Sequence, residues 1–201
     1  MKTLFTLGLA LLLAAPTMAQ DIKLPAPQKT GGMPLMAALS ARQTNREFSA
    51  KALDSQALSN LLWAAWGFNR ADRRTAPSAM NKQEYLVYVT LPTGAYLYNA
   101  KDNVLKQVVN KDIRALAGKQ DFVATAPLNL VYAYDKTLMG DPKLAYVDCG
   151  FISQNVYLYC ASAGLNTVVR AYVDIEELSK ALGLDSSKEV VLSQTVGYPK
   201  K

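Results

Sequence analysis

Histidine is missing from all 201 residues of the chain. Its absence removes Ser-His and Cys-His nucleophiles and every metal site that needs an imidazole. No cluster of thiols or carboxylates takes its place, so hard chemistry, if this chain performs any, falls to a bound cofactor. Cysteine is scarce too: only Cys149 and Cys160 are present, both within a segment that reads as one helix over 141–163. Eleven residues along a helix span about 16 Å, beyond disulfide reach, so two buried free thiols are expected.

Charge is thin, at 19% of residues, and positive charge has a modest surplus of 22 against 16. The basic residues are scattered (Lys51, Lys106, Lys119, Lys136, Lys180), and the one dense group is Arg70, Arg73 and Arg74. A nucleic-acid binder would show a basic stripe or basic residues interleaved with aromatics. Neither occurs, and the surplus suits an anionic small ligand. Repeats, low-complexity tracts and a second domain are also lacking. With 50% hydrophobic residues, the length fits one globular domain with a sizeable core.

The only long apolar run stands at the start, MKTLFTLGLALLLAAPTMA. Lys2, the run Leu4–Ala15, and the small residues Thr17 and Ala19 read as a secretory signal peptide over 1–19, cut after Ala19. The run is shorter than the roughly 20 residues that span a bilayer. No cysteine follows it to carry lipid, and no arginine pair precedes it to mark export in the folded state. A periplasmic or secreted protein is expected, with a mature charge of 21 basic against 16 acidic residues once Lys2 is gone.

Residues 20–33 read as an extended arm, punctuated by Pro25, Pro27 and Gly31-Gly32, and 34–201 as the single domain. Helices are predicted over 34–41, with Pro34 in the first turn, and over 54–67. The second is capped by Asp54, with Leu58, Leu61, Leu62, Ala65 and Trp66 on one face. Strands follow at 85–90 and 94–100, then a weakly marked helix around 110–124 and a strand at 127–135. Asp141-Pro142 opens the long helix, which is apolar nearly all round apart from Asp148, Gln154 and Asn155. One monomer of this size can hardly bury both its faces, which predicts a dimer interface. An extended segment at 167–172, a helix begun by Asp174 and Glu177 and stopped by Gly183, and a strand at 190–199 complete the chain. Strands that do not alternate strictly with helices argue an α+β domain around a mainly antiparallel sheet.

Three segments carry donors and acceptors in patterns suited to a ligand. In Arg42-Gln43-Thr44-Asn45-Arg46 two guanidiniums bracket a hydroxyl, as a phosphate requires; the other reading is solvated surface charge. In RTAPSAMNKQEY (74–85), Pro77-Ser78 makes a turn, while Asn81 and Gln83 each offer a donor and an acceptor beside Lys82. That mixture suits a ring with alternating carbonyl and N–H groups, or else a solvated loop. The third pairs the helix stop at Gly164 with the tail Gly197–Lys201, whose lysines otherwise read as a frayed end.

Taken in order, R-Q-T-N-R at 42–46, LSNLLWAAWGF at 58–68, RTAPSAMNKQEY, DFVATAPLNLVYAYD at 121–135, DCGFISQNVYLYCASAGL at 148–165, and ALGL with VGYP at 181–184 and 196–199 resemble the FMN-dependent nitroreductase superfamily. The resemblance is strongest to the branch of thiazoline and oxazoline dehydrogenases of modified peptides. It covers nearly the whole chain from about Met33 and implies an α+β sandwich, a homodimer joined through long central helices, and one FMN in each of two interfacial clefts. On that pattern Arg42, Gln43, Thr44 and Arg46 fall in the motif that holds the FMN phosphate and ribityl chain. Arg46 also approaches the pyrimidine edge of the ring, where positive charge favours the reduced anion. Asn81, with Pro77, Ser78 and Gln83 nearby, lies beside ribityl and ring, and the backbone of Val169-Arg170-Ala171 approaches the other face. Two departures stand out. Arg170 and Ala171 replace an acidic residue and a glycine, which puts an extra positive group near the ring or the substrate mouth. The chain also ends at Lys201, so either Lys200 or Lys201 stands in for a later basic residue of the family, or Arg42 and Arg46 hold the phosphate alone. The implied activity is ping-pong electron transfer through flavin N5 between a donor and a small acceptor such as a nitroaromatic or quinone, with no side chain obligatory. The alternatives are a flavin-binding module without turnover and a flavin-free interaction protein on the same fold.

Overall fold

The structure, a computed structural model, describes residues 20–200. The expected signal peptide and Lys201 lie outside the described residues. Among the described residues there are nine strands: β1 Ile22–Lys23, β2 Phe68–Arg70, β3 Arg73–Arg74, β4 Tyr85–Leu91, β5 Gly94–Asn99, β6 Val104–Val109, β7 Leu128–Asp135, β8 Asn166–Arg170 and β9 Lys188–Gly197. β2 and β3 form a separate hairpin, and the other seven make one sheet in the order β1-β6-β5-β4-β7-β9-β8. Every pairing in it is antiparallel, so the α+β class read from the sequence stands.

Strand alternation divides the sheet between two cores. Tyr85, Val87 and Val89 of β4 and Leu128, Leu130, Tyr132 and Tyr134 of β7 point to one side. There they meet α2 (Ser55–Trp66) and α4 (Pro142–Ala163). Tyr88, Val131, Ala133 and Val190 point to the other. That side is closed by α5 (Ile175–Ala181) and a 3-10 turn at Arg114–Ala117. Two faces buried at once explain why LNLVYAY shows no polar alternation.

Local chemistry sets the helix ends. Asp54 accepts from the Ala57 amide at 2.7 Å and caps α2. At the other end Trp66 Nε1 donates to the Tyr85 carbonyl at 2.9 Å, which ties the helix to β4. Asp141 accepts from the Lys143 amide at 2.9 Å at the start of α4, and Gly164 ends that helix at φ 67°. Ala145, Asp148, Cys149, Ile152, Val156 and Cys160 form its buried stripe, and both thiols are free, as expected. On the opposite side Leu144, Val147 and Phe151 are exposed around Gly150. A Cβ at Gly150 would meet nothing within 4 Å.

The helix predicted around 110–124 does not form. Its place is taken by irregular backbone over 110–113, the 3-10 turn, and a one-turn helix α3 at Phe122–Thr125. The reason is Gly118, where a Cβ would lie 2.4 Å from Arg170 Nε. The chain must open there to let that side chain pass. The arm is held where the sequence reads an extended segment: Ile22 and Lys23 pair with Leu105 and Val104 at the sheet edge.

Candidate functional site

The residues of interest gather in two groups, each anchored on α4. The first is built on Tyr157. Its hydroxyl accepts from the Val169 amide at 3.1 Å and lies 3.0 Å from Thr44 Oγ1. The Arg42 guanidinium sits over its ring, 5.4 Å from the centroid. The Asn45 amide donates to the Thr167 carbonyl at 3.1 Å, and Asn166 Nδ2 donates to the Glu47 carbonyl at 2.7 Å. Segment 42–48, which follows α1 (Leu35–Ala41), is thus lashed across the end of β8. A cavity of about 220 Å³ opens between Gln43, Tyr157, Thr167 and Pro199. Gln43, Thr44 and Arg46 are exposed, and Lys200 is exposed beside Pro199.

The second group is the loop 75–83 with the β2–β3 hairpin. Arg74 stacks on Phe68 at 3.9 Å and donates to Gln83 Oε1 and the Trp66 carbonyl, both at 3.0 Å. Burial pushes its pKa down to about 10. Gln83 Nε2 donates to the Asp72 carbonyl at 2.8 Å and Asn81 Oδ1 at 3.1 Å, and its amide N–H donates to Ser78 Oγ at 2.9 Å. Both ends of the Gln83 side chain therefore hold the loop rather than stand open to a ligand. Asp148 accepts from the Ala79 amide at 2.8 Å, which hooks the loop to α4. Arg73, Arg74, Ser78 and Asn81 line a cavity of about 310 Å³; Pro77 and Asn81 are exposed on the loop.

Met80, Asn81 and Gln83 all carry positive φ, at 53°, 53° and 51°. Left-handed backbone of this kind costs a residue with a Cβ about 1 kcal/mol or more and tends to collect at functional sites. Met80 is 73% exposed, so its side chain gives little back in packing. The substitution Met80→Gly is expected to raise unfolding stability by about 0.5–1 kcal/mol. An unchanged or lower urea midpoint would contradict that.

Arg170 departs from its expected place. Instead of reaching a ring or a substrate mouth, its side chain turns into the sheet's second core and is 8% exposed. Nη1 donates to Thr195 Oγ1 at 2.6 Å; Nη2 donates to Asn129 Oδ1 at 3.0 Å and the Ala117 carbonyl at 3.1 Å. Acceptors on β7, β9 and the 3-10 turn hold the guanidinium inward, and burial lowers its pKa to about 10. Ala171 lies exposed just after β8.

Sequence reasoning misses Tyr157 as the anchor of the first group, because a tyrosine on an apolar helix reads as core. It also passes over Glu84. That side chain is 1% exposed, and neither carboxylate oxygen has a hydrogen-bond partner. Burial, with Asp148 next to it, raises its pKa from 4.5 to about 7.

The two groups do not meet within one chain. Asp148 and Tyr157, their anchors, are nine residues apart on α4, about 14 Å at about 1.5 Å per residue. Both lie inside residues 39–198, over which the sequence profile of the nitroreductase family matches the chain.

The chain belongs to the nitroreductase family. It is an oxidoreductase of that family. A nitroreductase-family protein of Methanocaldococcus jannaschii is 33% identical over 156 residues, covering 69% of this chain and 79% of its own length. A crystal structure of a nitroreductase-family protein from Ralstonia eutropha JMP134 superposes with a TM-score of 0.86 at 39% identity, over 94% of this chain and 93% of its own. Another, from Desulfovibrio desulfuricans and determined in complex with FMN, shares the fold at 19% identity with a TM-score of 0.64. It covers 85% of this chain and 89% of that one.

Proposed function

We propose that this nitroreductase-family protein is an exported FMN-dependent oxidoreductase that works as a homodimer. Each cleft would combine the Arg42–Arg46 group of one protomer with the Pro77–Asn81 group of the other. The observation that carries this reading is the split of the donors. Each half is open and incomplete, and their anchors lie symmetrically about the middle of α4, whose outward face is apolar. Two such helices packed antiparallel would set the first group of one chain against the second group of its partner.

The residues fit the cofactor. Arg42 and Arg46 supply forked cationic donors, and Thr44 a hydroxyl, for a phosphate. Ser78 and Asn81, on a loop already fixed by Asp148 and Gln83, supply the mixed donors and acceptors that a flavin ring demands. Bound there, FMN supplies the two-electron carrier that a chain without histidine lacks. The protein's share is to hold and orient it. Arg42 and Arg46 neutralise the phosphate, Asn81 fixes the ring edge, and Tyr157 fixes the segment that carries Thr44. Lys200, exposed beside Pro199, would add to the phosphate charge, and Lys201 is proposed for the same role on the sequence alone.

A small nitroaromatic or quinone is the proposed acceptor. The peptide-dehydrogenase branch is proposed on the sequence segments alone. Export to the periplasm or medium is proposed on residues 1–19 alone; no helix among the described residues is long and apolar enough to cross a membrane.

The test uses mature protein, residues 20–201, titrated with FMN. Uptake of FMN, bleaching by dithionite, and recovery of the bands on adding a nitroaromatic or a quinone are expected. Arg42→Ala is expected to weaken FMN binding about tenfold or more, since a hydrogen bond to a charged group is worth roughly 1.5–3 kcal/mol. A flavin that bleaches but is not reoxidised by either acceptor marks a carrier. A folded protein that takes up no FMN at large excess defeats the proposal.

A further inference from the structure

On the far side of the β2–β3 hairpin from the loop 75–83 lies a cavity of about 770 Å³, a size typical of small-molecule sites. The arm, α2, the β2–β3 hairpin and the β5–β6 turn enclose it. Those four elements bring Lys29, Arg70 and Lys101 to one opening, and no acidic residue lines it. In sequence Lys29, Arg70 and Lys101 stand more than thirty residues apart from one another; only the fold collects them. Among the described residues none of the three forms an ion pair.

Three aromatic side chains, Trp63, Phe68 and Tyr98, also line it, and each is held in place. Trp63 Nε1 donates to the Phe68 carbonyl at 3.1 Å. The Phe68 ring is backed by Arg74, and the Tyr98 hydroxyl donates to Asn103 Oδ1 at 3.2 Å. Rings held by such contacts form a preorganised apolar wall, with Lys29 Nζ lying 5.9 Å from the Trp63 ring centroid and exposed Arg70 donating to Asn69 Oδ1 at 3.4 Å at its mouth. We propose that this cavity binds a planar aromatic anion, with its ring against Trp63, Phe68 and Tyr98 and its anionic group between Lys29, Arg70 and Lys101. An isolated inorganic anion would leave the rings bare, and a neutral aromatic would leave the three cations without a counter-charge. Asn69 and Arg70 also line the cavity next to Ser78 and Asn81. A ligand held here therefore sits beside the second group, which points to a co-substrate of the same protein rather than a remote effector.

The inference does not depend on flavin, and its test is run without it. Mature protein with no added FMN is titrated calorimetrically with 4-nitrobenzoate, with neutral 4-nitrobenzyl alcohol, and with inorganic phosphate. Saturable binding of 4-nitrobenzoate is expected, at least tenfold tighter than either comparison compound. The double substitution Lys29→Gln/Lys101→Gln is expected to weaken it at least tenfold, and Arg70→Gln several-fold, with circular dichroism unchanged because all three side chains are on the surface. Equal affinity for the neutral alcohol, equal affinity for phosphate, or unaltered binding in the double variant would each overturn the proposal. FMN uptake, measured separately on the same preparations, reports on the cofactor reading alone.

Discussion

A protein carrying Val147→Asp and Phe151→Asp is expected to sediment as a monomer and to bind FMN at least a hundredfold more weakly than the parent. Val147 is 54% and Phe151 43% exposed, one turn apart on α4, flanking the open space above Gly150. Each side chain gains about 1.5–3 kcal/mol on full burial. A symmetric interface uses each of them twice, and aspartate both forfeits that gain and buries an unpaired charge in an apolar contact. The fold itself does not need these positions, so far-ultraviolet circular dichroism should be unaffected. The flavin effect follows from the split donors. With the partner gone, Arg42, Thr44 and Arg46 hold one end of the ligand, and Ser78 and Asn81 are no longer opposite. A hundredfold is about 2.7 kcal/mol, which the loss of two neutral hydrogen bonds, at about 0.5–1.5 kcal/mol each, together with the loss of the ring's burial against the partner, supplies. A monomer that retains full FMN affinity would place the whole site within one chain. A dimer that persists would move the interface off α4.

How far the sequence leads toward that prediction differs from residue to residue. The outward face of α4 is legible because apolar residues occupy every side of one long helix, more than one monomer can cover. Asp54, Asp141 and Asp174 mark helix starts plainly, and the structure uses all three as caps. The 42–46 and 74–85 segments stand out by their donor patterns. What they touch does not, since Tyr157 and Asp148 meet them only through folding, across more than sixty residues of chain. The error at Arg170 has the same origin. A lone arginine near a presumed site reads as exposed charge, and nothing local shows that Asn129, Thr195 and the Ala117 carbonyl wait for it across the sheet. The failed helix at 110–124 depends on that same side chain, since Gly118 makes room for it. One tertiary contact thus accounts for two departures.

Glu84 supplies a second large effect, this one dependent on pH. Its carboxyl is buried without a hydrogen-bond partner, beside Asp148, and titrates near 7 in the folded protein against 4.5 ordinarily. Between those values the native state keeps a proton that the unfolded chain has released. Stability therefore falls as pH rises through this window, by about 2–3 kcal/mol between pH 4.5 and pH 8. The carboxylates whose pKa values are lowered, Asp21, Asp112, Asp135, Asp174 and Asp185, act in the opposite sense. Their stabilisation is lost only as pH drops below the ordinary aspartate range, so they leave the window from 5 to 8 to Glu84. Glu84→Gln removes the titration and gives Asp148 an N–H donor in place of a rival charge. Urea unfolding at pH 5, 6, 7 and 8, without FMN and at one protein concentration, should show the variant gaining on the parent at each step, by about 2 kcal/mol across the series. Parallel curves would mean that Glu84 ionises without strain. Because Asp148 also holds the Ala79 amide, the charge that costs the fold stability at high pH presses on the same hook that fixes Ser78 and Asn81. FMN affinity is therefore expected to decline over the same range in the parent and to stay level in Glu84→Gln.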